Sequence, residues 1–403
     1  MIRRGGHTST RLRVAAALGA LAVTLTLAAC GGGDDSSTTT SVASDGGSRD
    51  KVIVQASNGA FSPQAIYDKA APGVVTIRSV FGGGAPSLLG GGKPSAGQGS
   101  GFVVSDDGEI ATNAHVVTDA EAGGGAQIHE AKEVYVEFAD HNQVPADIVG
   151  YDPHGDVALL KVNPEGLDIS PLDLASGEGI SVGEPVAAIG SPFGEEQSLS
   201  VGVISATGRT VESLTDFQID NAIQTDASIN QGNSGGPLLD ADAHVIGINQ
   251  QINTTSGGGE GVGFAIPVTL VHRSLDQLRE NGEVKYAYIG VTTQPLYPQL
   301  ADRLGIDSPT GALVSEVVPN GPADDAGIEG GDQKIRFEGQ EVDAGGDVII
   351  SVDGEKIVNE SDLAQLISQR TPGDTVTLQV LRDGDTQDVD VTLGERPIRA
   401  PQG

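Results

Sequence analysis

Three segments carry residue types that could together perform nucleophilic catalysis. The string Gly232-Asn233-Ser234-Gly235-Gly236-Pro237, preceded by Gln231, sets a serine among glycines. A serine nucleophile needs its hydroxyl lifted clear of its own backbone, with N–H groups aimed at the oxyanion that forms on attack. Glycines permit the tight turn and let a substrate approach the main chain. The backbone N–H groups of Gly232 and Ser234 would supply the oxyanion hole. Upstream, Ile110-Ala111-Thr112-Asn113-Ala114-His115-Val116-Val117 reads as a strand-like run ending in a histidine, and Asp156 stands just ahead of the apolar run Val157-Ala158-Leu159-Leu160. Taken singly, His115 reads as a packed core histidine, Asp156 as a turn acid and the serine string as a glycine-rich turn. Together, the order His, Asp, Ser on separated segments, each at an element edge, is what a triad across two barrels requires. In such a triad His115 takes the Ser234 proton and hands it to the leaving amine, while Asp156 fixes the imidazole tautomer.

The segments that surround these residues resemble the HtrA/Deg family of trypsin-like serine proteases. Gly99-Ser100-Gly101-Phe102 leads to Asn113-Ala114-His115, and Asp156-Val157-Ala158 follows. Gln224-Thr225-Asp226-Ala227 runs into the serine string, and Gly263-Phe264-Ala265-Ile266-Pro267 matches the strand lining the substrate cleft. Gly190-Ser191-Pro192-Phe193-Gly194 and Ala206-Thr207-Gly208-Arg209 match as well, so the resemblance covers nearly all of residues 60–395. It implies an all-β chymotrypsin-like double β-barrel of six strands each, with the active site between the barrels, and assembly as a homotrimer packed by the segment Phe61–Pro72. It also implies a regulatory role for Arg209, on a loop that couples peptide binding to the oxyanion hole. The residue six before the nucleophile, which floors the primary pocket, is Ser228 rather than an acid. With Ile229, Val262 and Gly263 beside it, the expected pocket is small and apolar and favours Val, Ala or Leu over Arg or Lys.

The elements needed to hold such a site are legible as short apolar runs bounded by Gly, Asn, Asp and Pro. Val74–Val80, Gly101–Val104, Val134–Phe138, Val157–Val162, Val186–Ile189, Val201–Ala206 and His244–Asn249 read as strands with no long helices between them. That pattern argues for an all-β sandwich or barrel. Pro267–Asn281 differs, with Leu270, Val271, Leu275 and Leu278 on one helical face and Gly282 as a stop, so a helix is expected to close the protease domain at 59–282.

A second domain is expected over 286–397, and it resembles a PDZ domain: an α+β unit after a very short joint. Tyr288-Ile289-Gly290-Val291 resembles the loop that cradles a peptide C-terminus while the peptide adds a strand, making C-terminal peptides the implied partner. Asn359–Gln369, with Leu363, Leu366 and Ile367 at helical spacing, would be the helix flanking that groove. One departure stands out. After Ala326-Gly327-Ile328 an extra segment near 329–345 intervenes, with strand-like Lys334–Phe337, and it reads either as a surface hairpin or as a shield over the groove.

Composition narrows the setting. Among 403 residues there are 58 glycines, no tryptophan, and a formal charge of −32, a surface that repels nucleic acid and anionic headgroups. The single cysteine excludes an internal disulfide. Arg3, Arg4, Arg11 and Arg13 precede the apolar stretch Val14–Leu27, which is too short for a mature span. Leu27-Ala28-Ala29-Cys30 then resembles a bacterial lipobox, so residues 1–29 are expected to be a lipoprotein signal and lipidated Cys30 the membrane anchor outside the cytoplasm. Residues 30–58 are polar and read as a flexible tether. His129, His141, His154, His244 and His272 show no metal-ligand spacing, so neither metal nor cofactor is expected. The G-x-S-x-G string also fits an α/β-hydrolase elbow, but the alternating helices are missing. Gly91-Gly92-Lys93 lacks the leading glycine and the Ser/Thr of a phosphate loop, with Ser87 and Pro94 in those places. The functional alternative to a serine endopeptidase is a surface-anchored chaperone or peptide-sensing adaptor with little proteolytic activity.

Overall fold

The computed structural model describes residues 61–82, 96–120, 128–191, 197–230, 232–250, 261–359 and 361–400. Cys30, the signal and tether expectations, Gly91-Gly92-Lys93, Gln231 and the stretch Pro192-Phe193-Gly194 lie outside them.

Helix α1 (Pro63–Ala70) starts on the Ser62 side chain, which accepts from the Ala65 N–H, and buries Ile66 and Ala70. Strands β1 (Val74–Val80), β2 (Ala96–Ser105), β3 (Glu109–Thr112), β4 (Glu133–Glu137), β5 (Gln143–Asp152) and β6 (Val157–Lys161) close a barrel in the order β1-β2-β3-β6-β5-β4, with the one-turn helix α2 (Ala114–Val117) leaving β3. Strands β7 (Pro185–Gly190), β8 (Ser198–Glu212), β9 (Gln218–Thr225), β10 (Pro237–Leu239), β11 (Val245–Gln250) and β12 (Gly263–Pro267) close a second, ordered β10-β11-β12-β9-β8-β7.

Continuous apolar runs arise because both faces of these strands are covered. Along β6, Ala158 and Leu160 fill the first barrel, while Val157 and Leu159 point the other way, into a core shared with Ile189, Leu239, Ile248 and Ile266 of the second. Burying each such leucine contributes roughly 1.5–3 kcal/mol. Helix α3 (Val268–Asn281) caps this shared core with Val271, Leu275 and Leu278. Its Pro267 stands as N-cap rather than inside the helix, Gly282 ends it at φ 72°, and Leu270 is only partly buried.

The C-terminal unit contains β13 (Ala287–Tyr288), β14 (Val291–Leu296), helix α4 (Pro298–Leu304), β15 (Gly311–Val317), helix α5 (Pro322–Asp325), β16 (Gln333–Phe337), β17 (Gln340–Ala344), β18 (Val348–Val352), β19 (Glu355–Lys356), helix α6 (Asp362–Ser368), β20 (Thr375–Arg382), β21 (Asp385–Thr392) and β22 (Gly394–Glu395). Its main sheet runs β14-β15-β18-β20-β21, with β19 on β18. Within the expected loop Tyr288–Val291, β14 begins at Val291. Gly290 takes φ 82° and turns the chain there.

The extra segment after Ile328 forms the β16–β17 hairpin. It lies on the sheet face opposite α6. Leu363, Leu366 and Ile367 of α6 pack with Ala312, Val314 and Ile349, whereas Val342 of the hairpin packs with Leu296, Leu300, Leu313, Val348 and Leu381. Strand alternation separates the two sets, so the hairpin does not cover the space between β14 and α6. Leu313 is fully buried at the centre of the hairpin-side core. Leu313→Ala should destabilise the C-terminal unit by about 2–5 kcal/mol, measured by urea unfolding, leaving the barrels' transition in place.

Candidate active site

β3 delivers the chain to Asn113, whose side chain does not cap α2 but donates to the Asp156 carbonyl at 2.9 Å. The strand therefore stops at Thr112, and His115 sits in a helical turn rather than at a strand end, a correction to the sequence reading. Asp156 uses both carboxylate oxygens on one residue. Oδ1 accepts the His115 backbone N–H at 2.9 Å, and Oδ2 lies 2.8 Å from the ring nitrogen Nδ1. Asp156 is fully buried and holds φ at 52°, in the left-handed region. That conformation costs about 1–2 kcal/mol for an L-residue, which charge-assisted bonds of about 1.5–3 kcal/mol each offset.

A second buried acid builds the turn that presents Asp156. Asp152 Oδ1 accepts the N–H groups of His154 and Gly155 at 3.0 and 2.9 Å. Its Oδ2 accepts the hydroxyls of Ser274 on α3, at 2.7 Å, and Tyr286, between α3 and β13, at 2.6 Å. A Cβ at Gly155 would lie 2.5 Å from Asp152 Oδ2, so only glycine fits there.

The serine string forms a turn with its N–H groups committed in sequence: Asn233 to the Asn230 carbonyl, Gly235 to Asn249 and Gly236 to Asn233, at 2.9–3.0 Å. Gly232 and Gly235 take φ of 105° and 86°. Ser100 on β2 pins the turn from the other barrel. Its N–H donates to the Ser234 carbonyl at 2.8 Å and its hydroxyl to the Gly232 carbonyl at 2.5 Å. The same hydroxyl accepts the Ser191 N–H at 2.9 Å. A Cβ at Gly99 would lie 2.7 Å from Val116 Cγ2 and 3.1 Å from the Ser234 carbonyl. The histidine's helix and the serine's turn thus flank the same point of β2.

Two domain models match the chain: a trypsin-like peptidase domain over residues 99–248 and a PDZ domain over 287–393. A probable periplasmic serine endoprotease, DegP-like, from Halomonas elongata is 43% identical over 299 residues, which are 74% of this chain and 56% of that protein. A protein of the same description from Pseudomonas fulva is 40% identical and covered to 58%. The chain thus spans little more than half the length of these curated relatives. The HtrA-type protease AlgW with tripeptide superposes with a TM-score of 0.68 at 32% identity, covering 83% of this chain and 98% of that one. The chain belongs to the HtrA/Deg family.

Within this HtrA/Deg chain, sequence reasoning missed Gln250. Its Nε2 donates to Asp156 Oδ2 at 3.0 Å, a third donor on the carboxylate that holds His115. Nothing in the apolar run His244–Asn249 marks the next residue as special. Of the expected pocket residues, Ile229 and Gly263 meet, since a Cβ on Gly263 would lie 2.9 Å from Ile229 Cδ1. Ser228 is exposed, with its N–H on Ser200 Oγ at 2.6 Å, and Val262 is exposed as well. Arg209 donates from Nε to Gln224 Oε1 at 2.9 Å, within the β8–β9 pair. The residue of that hairpin that meets the Tyr288 ring is instead Phe217, edge to face at 5.8 Å. Among the described residues no cluster of His, Cys, Asp and Glu is arranged to hold a metal ion.

Burial opposes charge on His115, but the Asp156 carboxylate, through its charge and its hydrogen bond, outweighs that and holds the imidazole above its ordinary value. A base with a raised pKa becomes competent only once pH exceeds that value. The acid limb of kcat/KM should therefore fall above pH 6.5, the ordinary histidine value. Asp156→Asn should move the limb to lower pH and reduce kcat by about 10⁴. A pH–rate profile of both proteins on a fluorogenic peptide checks it.

Proposed function

We propose that this chain is an extracytoplasmic serine endopeptidase that cleaves unfolded or membrane-associated proteins, with peptide binding at its PDZ domain as a regulator. The observation that carries the reading is the double grip of Asp156 on the backbone and ring of His115, opposite a serine turn braced by Ser100. With Nδ1 committed to Asp156, Nε2 is the ring nitrogen available to take the Ser234 proton as the hydroxyl attacks a peptide carbonyl. His115 then protonates the leaving amine, and water hydrolyses the acyl-enzyme by the same route. Developing negative charge on the carbonyl oxygen meets the N–H groups of Gly232 and Ser234 in the oxyanion-hole role. A pocket of Ser228, Ile229, Val262 and Gly263, with no acid among them, favours a small apolar residue before the scissile bond.

The C-terminal unit supports peptide capture through geometry. The carbonyls of Ile289 and Gly290 accept the N–H groups of Ala323 and Val318, both at 2.9 Å. A planar trans peptide sends its N–H the opposite way from its carbonyl, so the next amides turn outward, as a carboxylate cradle needs. β14 ends the sheet order, pairing with β15 alone among the described strands, and so offers an edge to an incoming strand. The Phe217–Tyr288 contact supports a link from that loop to the β8–β9 hairpin that also carries Arg209.

Ser234→Ala and His115→Ala should each lose a factor on the order of 10⁴ or more in turnover of an unfolded protein, with folding unchanged. A fluorophosphonate probe should label Ser234 in the parent. Persistent failure to label, with or without peptide, would replace the enzyme by an adaptor.

The relatives' description as periplasmic, together with the Leu27–Cys30 string, supports an anchor at lipidated Cys30. Cys30→Ala should release the protein from the membrane fraction or leave an uncut precursor. Recovery of mutant and parent in one fraction, cut at the same residue, contradicts the anchor.

A further inference from the structure

With 23 Lys and Arg against 55 Asp and Glu, cations that gather without carboxylate partners need a physical cause. One such place lies away from the triad. A cleft of about 740 Å³ opens where α3, β9, the α3–β13 connection, the end of α6 and the C-terminal tail meet. That volume falls in the range of small-ligand pockets. Its charged lining is Arg273, Lys285, Arg370 and Arg396, with Asp220 and Glu280.

Two of the four cations are already neutralised. Lys285 Nζ lies 3.2 Å from Glu283 and 3.4 Å from Glu395, and Arg370 lies 2.7 Å from Asp353. Arg273 and Arg396 form no ion pair among the described residues. Both sit on one ring, with guanidinium carbons 4.3 and 5.2 Å from the centre of Tyr286. Arg273 donates once, to the Lys285 carbonyl at 3.2 Å. Arg396 Nε is buried and meets no acceptor among the described residues. An orphaned guanidinium donor and two like charges sharing one aromatic ring are costly unless something anionic joins them.

The neighbouring carboxylates of Asp220 and Asp152 act on Arg396 by charge, but neither lies within ion-pair distance of either arginine. Asp220 takes a hydrogen bond from the Thr210 hydroxyl at 3.3 Å and acts on Arg396 through its charge without hydrogen-bonding it. Burial, aided by the Arg396 charge, lowers the His154 pKa to about 4, so this ring is neutral near pH 7. The lining includes none of His115, Asp156, Ser234 or Tyr288–Val291.

We propose that this cleft is a binding site for an oxyanion, a carboxylate or a phosphate group, held between Arg273 and Arg396. Planar guanidinium forks suit both groups. An occupant would join helix α3 of the second barrel to the tail that follows the PDZ domain. Because the same Arg396 stacks at 5.3 Å on Phe217, the occupant would also brace the β8–β9 hairpin.

Calorimetric titration of the full mature chain carrying Ser234→Ala tests this by binding alone, independently of proteolysis. One arm uses inorganic phosphate at fixed ionic strength. The other uses an N-acetylated, C-amidated tetraglutamate, which has no free terminus for the Tyr288 loop. Saturable binding of one equivalent is expected in at least one arm: phosphate alone identifies a free oxyanion, the peptide alone a side-chain carboxylate. Arg273→Gln and Arg396→Gln should each weaken it by about tenfold or more, whereas Arg370→Gln, already paired, should change it by less than about twofold. Thermal melts identify any variant that fails to fold, and the other arginine variant then decides. Absence of saturable binding in both arms, or binding that survives loss of either arginine in a folded variant, overturns the proposal.

Discussion

A carboxylate with no exposed surface must find all its partners inside the protein, and Asp156 finds them on two separate segments, one from each barrel. His115 supplies a backbone and a ring donor, Gln250 a side-chain amide, and Asn113 fixes the Asp156 carbonyl. These residues come from β3–α2, the β5–β6 turn and the end of β11, so the bonds form only when both barrels are closed against each other. Removing one partner from a buried, charged network costs about 3–5 kcal/mol, much more than an exposed pair contributes. Site geometry and barrel assembly are therefore one requirement. Asp156 accepts a left-handed backbone because that conformation aims its carboxylate at the helix that carries His115.

Four residues earlier in the chain, Asp152 repeats the same logic with a different set of donors. Its two hydroxyl partners are on α3 and on the connection leading to β13, so the turn presenting Asp156 is tied to the segment that joins the two domains. Burial pushes the Asp152 carboxyl up from its ordinary value, while the Tyr286 and Ser274 hydroxyls and two backbone amides pull it back. Around this acid the aromatic rings form a chain: His154 against Tyr286 at 5.2 Å and against Phe217 at 5.8 Å, then Phe217 against Tyr288. Packing alone thus makes a continuous path from the PDZ loop to the β8–β9 hairpin and to the turn that carries Asp156. Such a path is a physical connection; coupling between its ends requires two arrangements of it.

Much of this architecture is written locally. The run Val157–Leu160 declares a strand covered on both faces, and the boundaries of β1 coincide with the apolar run Val74–Val80 that announces it, because alternating side chains and flanking turn residues act over a few positions. The helical spacing of α3 and its stop at Gly282 are equally local. The order of His115, Asp156 and Ser234, with glycines around the serine, supports the proposed chemistry because few residue types can share a proton relay at neutral pH.

Other features have no local signal. That His115 rides a helical turn follows from Asn113 turning its side chain to Asp156, a residue far along the chain. Gln250 resembles any polar strand end until β11 is laid beside the β5–β6 turn. The hairpin after Ile328 was legible as an insertion, but its side of the sheet depends on whether Val342 meets Leu313 or Ala312, neighbours that alternation points to opposite faces. Phe217, not Arg209, meets the Tyr288 loop for a similar reason: a ring at a hairpin tip reaches across a domain boundary that sequence spacing does not measure. The sequence by itself determined the strands, the turns and the residue types able to do chemistry, because those depend on near neighbours. Only the tertiary structure decided which buried polar atoms satisfy one another, because that pairing depends on which distant segments are brought together.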